Sequence, residues 1–225
     1  MTQPKALLFG AIGTLVETSD MQRRAFNAAF AQLGLDWTWG REAYREMLRT
    51  PGGAARVAHY ADARGEEVDA DEVHRAKVAY FREFAREGLE PRAGVREVVE
   101  SARSLGVRLG FATTTGSDTV DLLFDGLGDA LPRDVFDFVG DADLVTKGKP
   151  SPEIYRLALS HFGLSAAQAI AIEDTPESAA APIAAGIATV AFPGDAARGR
   201  SFPVEVTHNV DRLEPSFCGL GLAAA

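Results

Sequence analysis

Ala6-Leu7-Leu8-Phe9-Gly10-Ala11-Ile12-Gly13-Thr14-Leu15-Val16-Glu17-Thr18 is the stretch on which the fold turns. Its apolar run is short, starts after Lys5 and stops among glycines, which reads as a buried strand over 5–12. Ile12 is then the last packing side chain of that strand. The next seventy residues change character. Met21, Ala25, Ala28, Ala29 and Leu33 recur at helical spacing, with Asp20 placed to cap the helix. Further helices are expected over 41–49, 54–64 and 70–86, interrupted at Gly52-Gly53 and Gly65.

After this all-helical block the pattern alternates. Helices are expected over 94–105, 117–124, 152–161 and 176–185, and strands over 107–112, 135–139, 169–172 and 187–192. Strand and helix in alternation imply a parallel sheet covered on both faces. The fold class is therefore α/β, a Rossmann-like core (1–15 and 90–225) with an all-helical domain (16–89) inserted after the first strand. Ligands of such sheets bind beyond the carboxyl ends of the strands. That rule puts Gly10, Thr113, residues 141–149, Glu173 and Asp174 on one rim. Pro182 falls inside a predicted helix, where proline costs about 3 kcal/mol relative to alanine, so a kink or early stop is expected. The tail from Gly219 is expected to fray.

Composition narrows the function classes. The chain has 225 residues, 46% hydrophobic and 24% charged, enough apolar mass for a real core. No run approaches the roughly 20 apolar residues of a membrane span, and the run 6–9 is too short for a signal-peptide core. A single cysteine, Cys218, excludes an intrachain disulfide and fits a reducing cytoplasm. The net charge of −9 disfavours nucleic acid and anionic membranes as partners. The four histidines show no ligand spacing and read as structural. Thr14 has no base beside it and is not a nucleophile.

Four segments on the rim, in order and spacing, resemble the haloacid dehalogenase (HAD) superfamily: 7–18, Phe111-Ala112-Thr113, Lys149-Pro150-Ser151-Pro152 and Ile172-Glu173-Asp174. The likeness covers essentially the whole chain. Phe26-Asn27, Gly52-Gly53 and 149–157 make it similar to the CbbY-like sugar-phosphate phosphatases and to beta-phosphoglucomutase. In that family a carboxylate at the end of the first strand attacks phosphorus, and a second, two residues on, works as acid and base. The resemblance implies that Thr113 and Lys149 hold phosphoryl oxygens, that Glu173 and Asp174 belong to a magnesium site, and that the helical domain is a cap that selects substrate.

This chain departs from the pattern where the chemistry is done. The nucleophile position is Gly10 and the acid/base position is Ile12. Only the Ile12 carbonyl stays available to a cation. Losing a nucleophile costs a well-studied hydrolase about a million-fold in turnover, roughly 8 kcal/mol of barrier. The cap also has Gln22 where histidine is more usual, and Ala54 and Ala55 where charge is. The expectation is a HAD-like protein inactive as a phosphatase, retaining a phosphate site for a sugar phosphate and a weakened Mg²⁺ site. Two alternatives are a hydrolase working through metal-activated water at Glu173 and Asp174, and a regulatory subunit with a protein partner.

Overall fold

The computed structural model describes residues 3–10, 12–48 and 52–221. In chain order the main elements are β1 (Ala6–Phe9), α1 (Ile12–Leu15), α2 (Ser19–Gln32), α3 (Arg41–Met47), α4 (Gly53–Arg64), α5 (Ala70–Arg86) and α6 (Val95–Ser104). Then come β2 (Arg108–Ala112), α7 (Ser117–Leu127), β3 (Phe138–Gly140), α8 (Glu153–Phe162), β4 (Ala169–Glu173), α9 (Pro176–Ala184), β5 (Ala188–Ala191) and β6 (His208–Asn209). The chain divides into two compact units, Met1–Glu17 with Leu89–Ala225, and Thr18–Gly88.

The first unit is built on a six-stranded sheet in the order β3-β2-β1-β4-β5-β6, with every pairing parallel. β1 is its inner strand, buried at all four residues between β2 and β4. A strand covered on both faces must be apolar throughout, which is why 6–9 shows no polar alternation. Ala6 and Leu8 join a core with Ile154, Tyr155 and Ala158 of α8. On β1 and β2 alternation sends Phe9 and Phe111 the other way, into a ring cluster with Phe124 and Phe136.

Several sequence expectations need correction here. The first strand ends at Phe9, and Ile12 does not extend it: Ile12 opens α1 and is half-buried. A chain leaving an inner strand at glycine has lost its ladder partners, and a helical turn satisfies its backbone instead. Asp20 sits inside the first turn of α2 rather than capping it, because Thr18 is the cap residue; Asp20 pairs with Arg23 and Arg41 instead. Pro182 does not stop α9, which continues to Ala184. The missing N–H falls in the last turn, and the Pro182 carbonyl still accepts from Ala185 N and Ile187 N at 3.0 Å. The tail does not fray at Gly219: Leu220 is 2% exposed, and Gly219 lies against Ile170 and Pro4. Residues 222–225 lie outside the described residues. β6 was not anticipated, since two residues carry no periodicity.

The second unit, α2 to α5, is closed by an aromatic core. Phe26 and Phe30 each lie 4.8 Å from the Trp39 ring, and Trp37 stands 5.2 Å from Phe30. Asn27 fixes the loop after α2 by accepting from Trp39 N at 2.8 Å and donating to Trp39 O at 3.1 Å. Asp69 caps α5, accepting from the amides of Asp71 and Glu72 at 3.0 and 2.9 Å. Gly65 ends α4 at φ +67°, a left-handed turn that other residues adopt at a cost.

Lys77 is a buried cation of this unit. It is 7% exposed, over the Phe26 and Phe81 rings, and donates to Gln22 Oε1 at 3.1 Å. Burial, then the Arg56 charge, pulls its ammonium down from 10.5 to about 8. Between those values the unfolded chain holds more protons than the folded one, so stability rises with pH from about 8 towards 10.5. His74, depressed by burial and by Lys77, acts below this window, and Tyr44, raised by burial from 10.0 to about 12, opposes the rise only from about pH 10 upward. We therefore expect urea unfolding at pH 9.5 to show this unit more stable than at pH 7, by on the order of 2 kcal/mol. Lys77→Met should be the more stable form at pH 7 and flatten the rise. Equal stability of the parent at the two pH values would contradict this.

Candidate active site

The rim assembles from four strand ends. β1 stops at Phe9, and Gly10 N then donates to Ile172 O at 2.9 Å, keeping Gly10 in line with β4. β2 delivers Thr113, which is 2% exposed and donates its backbone N–H to Gly140 O at 3.2 Å. β4 ends in Glu173, fully buried, followed by Asp174. Lys149 arrives from the loop before α8, and Tyr155 from the first turn and a half of α8 itself.

Lys149, Glu173, Tyr155 and Gly10 form one cluster. Lys149 Nζ donates to Glu173 Oε1 at 2.7 Å, and its side chain is 9% exposed against 0% for Glu173. The same ammonium bonds the Gly10 carbonyl and reaches Tyr155 Oη at 3.5 Å. Tyr155 Oη donates to Glu173 Oε1 at 2.5 Å. All three donors of the lysine thus point at protein atoms. Burial, then the Glu173 charge, pushes the Tyr155 phenol well above its ordinary value, so it stays a donor. A β-carbon built on Gly10 would run into Tyr155 Oη and the Glu173 carboxyl. The space that a side chain at position 10 needs is therefore taken by these two groups.

Thr113 and Asp174 stand around this cluster with other partners. Thr113 Oγ1 donates to Thr115 Oγ1 at 3.0 Å and accepts from Thr115 N at 3.2 Å, which shapes the turn after β2. Asp174 presses Oδ2 against the Gly13 backbone, where a β-carbon would collide with it. Its Oδ1 accepts from Ser178 Oγ at 3.3 Å. Burial, then the charge of Glu173, raises its carboxyl to about 6, against the pull of Lys149 and Arg92. The helix after it is capped by Thr175 in a reciprocal arrangement with Ser178. The Ile12 carbonyl accepts from Val16 N at 2.8 Å, so one of its lone pairs is committed to α1.

Two residues here escaped the sequence reading. Tyr155 looks like a core position of an amphipathic helix, and only its hydroxyl gives it a second role. Arg92 carried no pattern at all. Its Nη1 donates to Gly13 O at 2.6 Å and Phe192 O at 2.9 Å, and its Nη2 to Pro193 O at 2.6 Å. It ties the turn after β1 to the end of β5.

With this geometry in hand, the likeness to known proteins can be stated. The family model of haloacid dehalogenase-like hydrolases matches residues 4–186. The chain belongs to that family. Within the HAD family it is 38% identical over 221 residues to protein CbbY of Cereibacter sphaeroides, covering 96% of this chain and 94% of the relative. It is 32% identical over 197 residues to a phosphoglycolate phosphatase of Rhodospirillum rubrum, covering 83% and 78%. The crystal structure of CbbY from Rhodobacter sphaeroides in complex with phosphate superimposes with a TM-score of 0.79 at 36% identity, covering 97% and 96%. A mutant of the same CbbY crystallised with xylulose-(1,5)-bisphosphate gives 0.77 at 37% identity, covering 97% and 100%. The parallel sheet and flanking helices described above are thus those of a HAD hydrolase core. Among the described residues, no helix is long and apolar enough to cross a membrane.

Proposed function

We propose that this HAD-family protein holds a phosphorylated small molecule and does not hydrolyse it through an aspartyl-phosphate. The observation that carries this reading is the end of β1. Gly10 offers no side chain, and the room for one is filled by Glu173 and Tyr155. A covalent route needs a carboxylate within reach of phosphorus, and position 10 supplies only a carbonyl, already engaged by Lys149. Ile12 likewise has no proton to give or take.

The remaining residues suit binding better than turnover. Lys149 brings a charge for phosphoryl oxygens, and Thr113 a hydroxyl on the neighbouring strand end. A phosphate at Lys149 must take the place of one of the lysine's three acceptors, Glu173 Oε1, the Gly10 carbonyl or Tyr155 Oη. Glu173 is the charged competitor among them.

The donor set also bears on magnesium, which phosphatases of this superfamily generally use. Glu173 Oε2 is buried and lacks a hydrogen-bond partner among the described residues, and Asp174 lies next in sequence. These two carboxylates fit a cation whose other positions are filled by water or phosphate. No cluster of three or more His, Cys, Asp or Glu side chains suited to a metal occurs among the described residues, so the site is a reduced one. When bound there, the ion would add positive charge opposite the phosphoryl oxygens. The chain's own residues would orient the ligand.

A mutant of R. sphaeroides CbbY forms a crystalline complex with xylulose-(1,5)-bisphosphate, which makes a ketose bisphosphate the first ligand to offer. Calorimetric titration with this compound and MgCl2 should give saturable heat with no release of inorganic phosphate. The absence of both heat and thermal stabilisation at millimolar ligand would overturn the binding reading.

A further inference from the structure

A concavity in the α/β unit shares Arg92 with the site above. It measures about 610 Å³ and is lined by Arg92, Arg198, Arg200 and Asn209, with Asp211 as its one acidic residue. This volume is in the range of small-molecule pockets. Three guanidinium groups and one carboxylate line it, in a chain whose net charge is −9. Each guanidinium also has a carboxylate near it outside the lining, so an anion binds here by exchange with these partners.

The three arginines are held differently. Arg92 is fixed by the three carbonyls named above and by stacking on Phe192, 3.4 Å from the ring centroid. Arg198 and Arg200 pair with Asp195 and Glu177, which do not line the cavity. Each pair has one exposed member: Arg198 is 74% exposed against 33% for Asp195, and Glu177 63% against 24% for Arg200. Ion pairs open to solvent contribute about 0–1 kcal/mol, so Arg198 above all can leave its partner for a better one. A phosphoryl dianion is such a partner, because its oxygens match the planar fork of a guanidinium. Glu17, Asp174 and Asp195 lie close enough to Arg92 to act on its charge. Glu17 is itself engaged, accepting from Asp195 N at 2.6 Å.

We infer that this concavity is a second anion site, taking the phosphoryl group of a small phosphorylated metabolite. Asn209 supplies an uncharged donor beside the guanidinium groups. Through Arg92 and its bond to Gly13 O, an anion there adjoins the turn that follows β1.

Inorganic phosphate is the probe. Calorimetry on the full chain is expected to lose one binding event, or to show it weakened at least about tenfold, in Arg198→Ala/Arg200→Ala. Loss of the only event seen in the parent would also support the second site. Phosphate binding identical in number and affinity in parent and variant would overturn it. Should the double variant not fold, arginine modification of the parent by phenylglyoxal decides. Phosphate is expected to protect Arg198 and Arg200, and modification unchanged by phosphate refutes the proposal.

Discussion

Lys149→Met is expected to lower the stability of the α/β unit by about 3–5 kcal/mol, the usual effect of stranding one member of a buried ion pair. The reason is geometric. Glu173 is fully buried, its Oε1 is held by Lys149 at 2.7 Å and Tyr155 at 2.5 Å, and its Oε2 has no hydrogen-bond partner among the described residues. Methionine fills the space of the lysine stem but leaves that carboxylate with one phenol. In a protein of this size the loss corresponds to a melting temperature lower by roughly 10 °C. Lys149→Met/Glu173→Gln should recover most of it, because no buried charge is left behind. A double-mutant cycle followed by urea unfolding measures the coupling. Additive effects of the two substitutions would show that the pair is not the unit described here.

The second large effect is expected at Gly10. Gly10→Asp should be destabilised by about 3 kcal/mol in EDTA and regain most of this in excess MgCl2. The new β-carbon collides with Tyr155 Oη and the Glu173 carboxyl, so both must move, and overpacking of this sort costs about 1–3 kcal/mol. It also sets a third carboxylate beside Glu173 and Asp174, with Lys149 as their shared counter-ion, adding repulsion. A divalent cation removes that repulsion, since residues 10, 173 and 174 then offer three oxygen-bearing side chains. Saturation at a hundred times Kd adds about 2.7 kcal/mol. The parent, with two carboxylates, should respond less. Thermal unfolding of both proteins in EDTA and in MgCl2 checks this. A variant as stable as the parent in EDTA would mean that the space at Gly10 is not filled as described.

How much of this could be read from the chain alone differs between elements. The sheet was legible because an inner parallel strand is apolar throughout and the helices between strands repeat at 3.6 residues. α5 was placed to the residue, over Ala70–Arg86, since Asp69 marks its start and its apolar stripe is long. Strand ends were legible through the glycine, threonine and acidic residues that follow them, and this put Gly10, Thr113, Glu173 and Asp174 on one rim. Ile12 was misread because an isoleucine after an apolar run looks like more strand, while the backbone had turned helical once its ladder partners ended. The engagement of Lys149 was not legible. A lysine before a proline says nothing of where its ammonium points, and the Glu173 contact spans 24 positions. Tyr155 and Arg92 escaped for the same reason: their partners are distant in sequence, and one is a set of backbone carbonyls that no residue type announces.

Phosphate release from sugar phosphates and bisphosphates with Mg²⁺, measured for the native protein beside Gly10→Asp/Ile12→Asp, reads out whether Gly10 and Ile12 abolish turnover. The native protein is expected to be silent, and the double variant to turn over at least one of these compounds. A native protein that hydrolyses a phosphate ester at a useful rate would contradict this, provided the preparation is free of contaminating phosphatase and the activity is lost in Lys149→Ala.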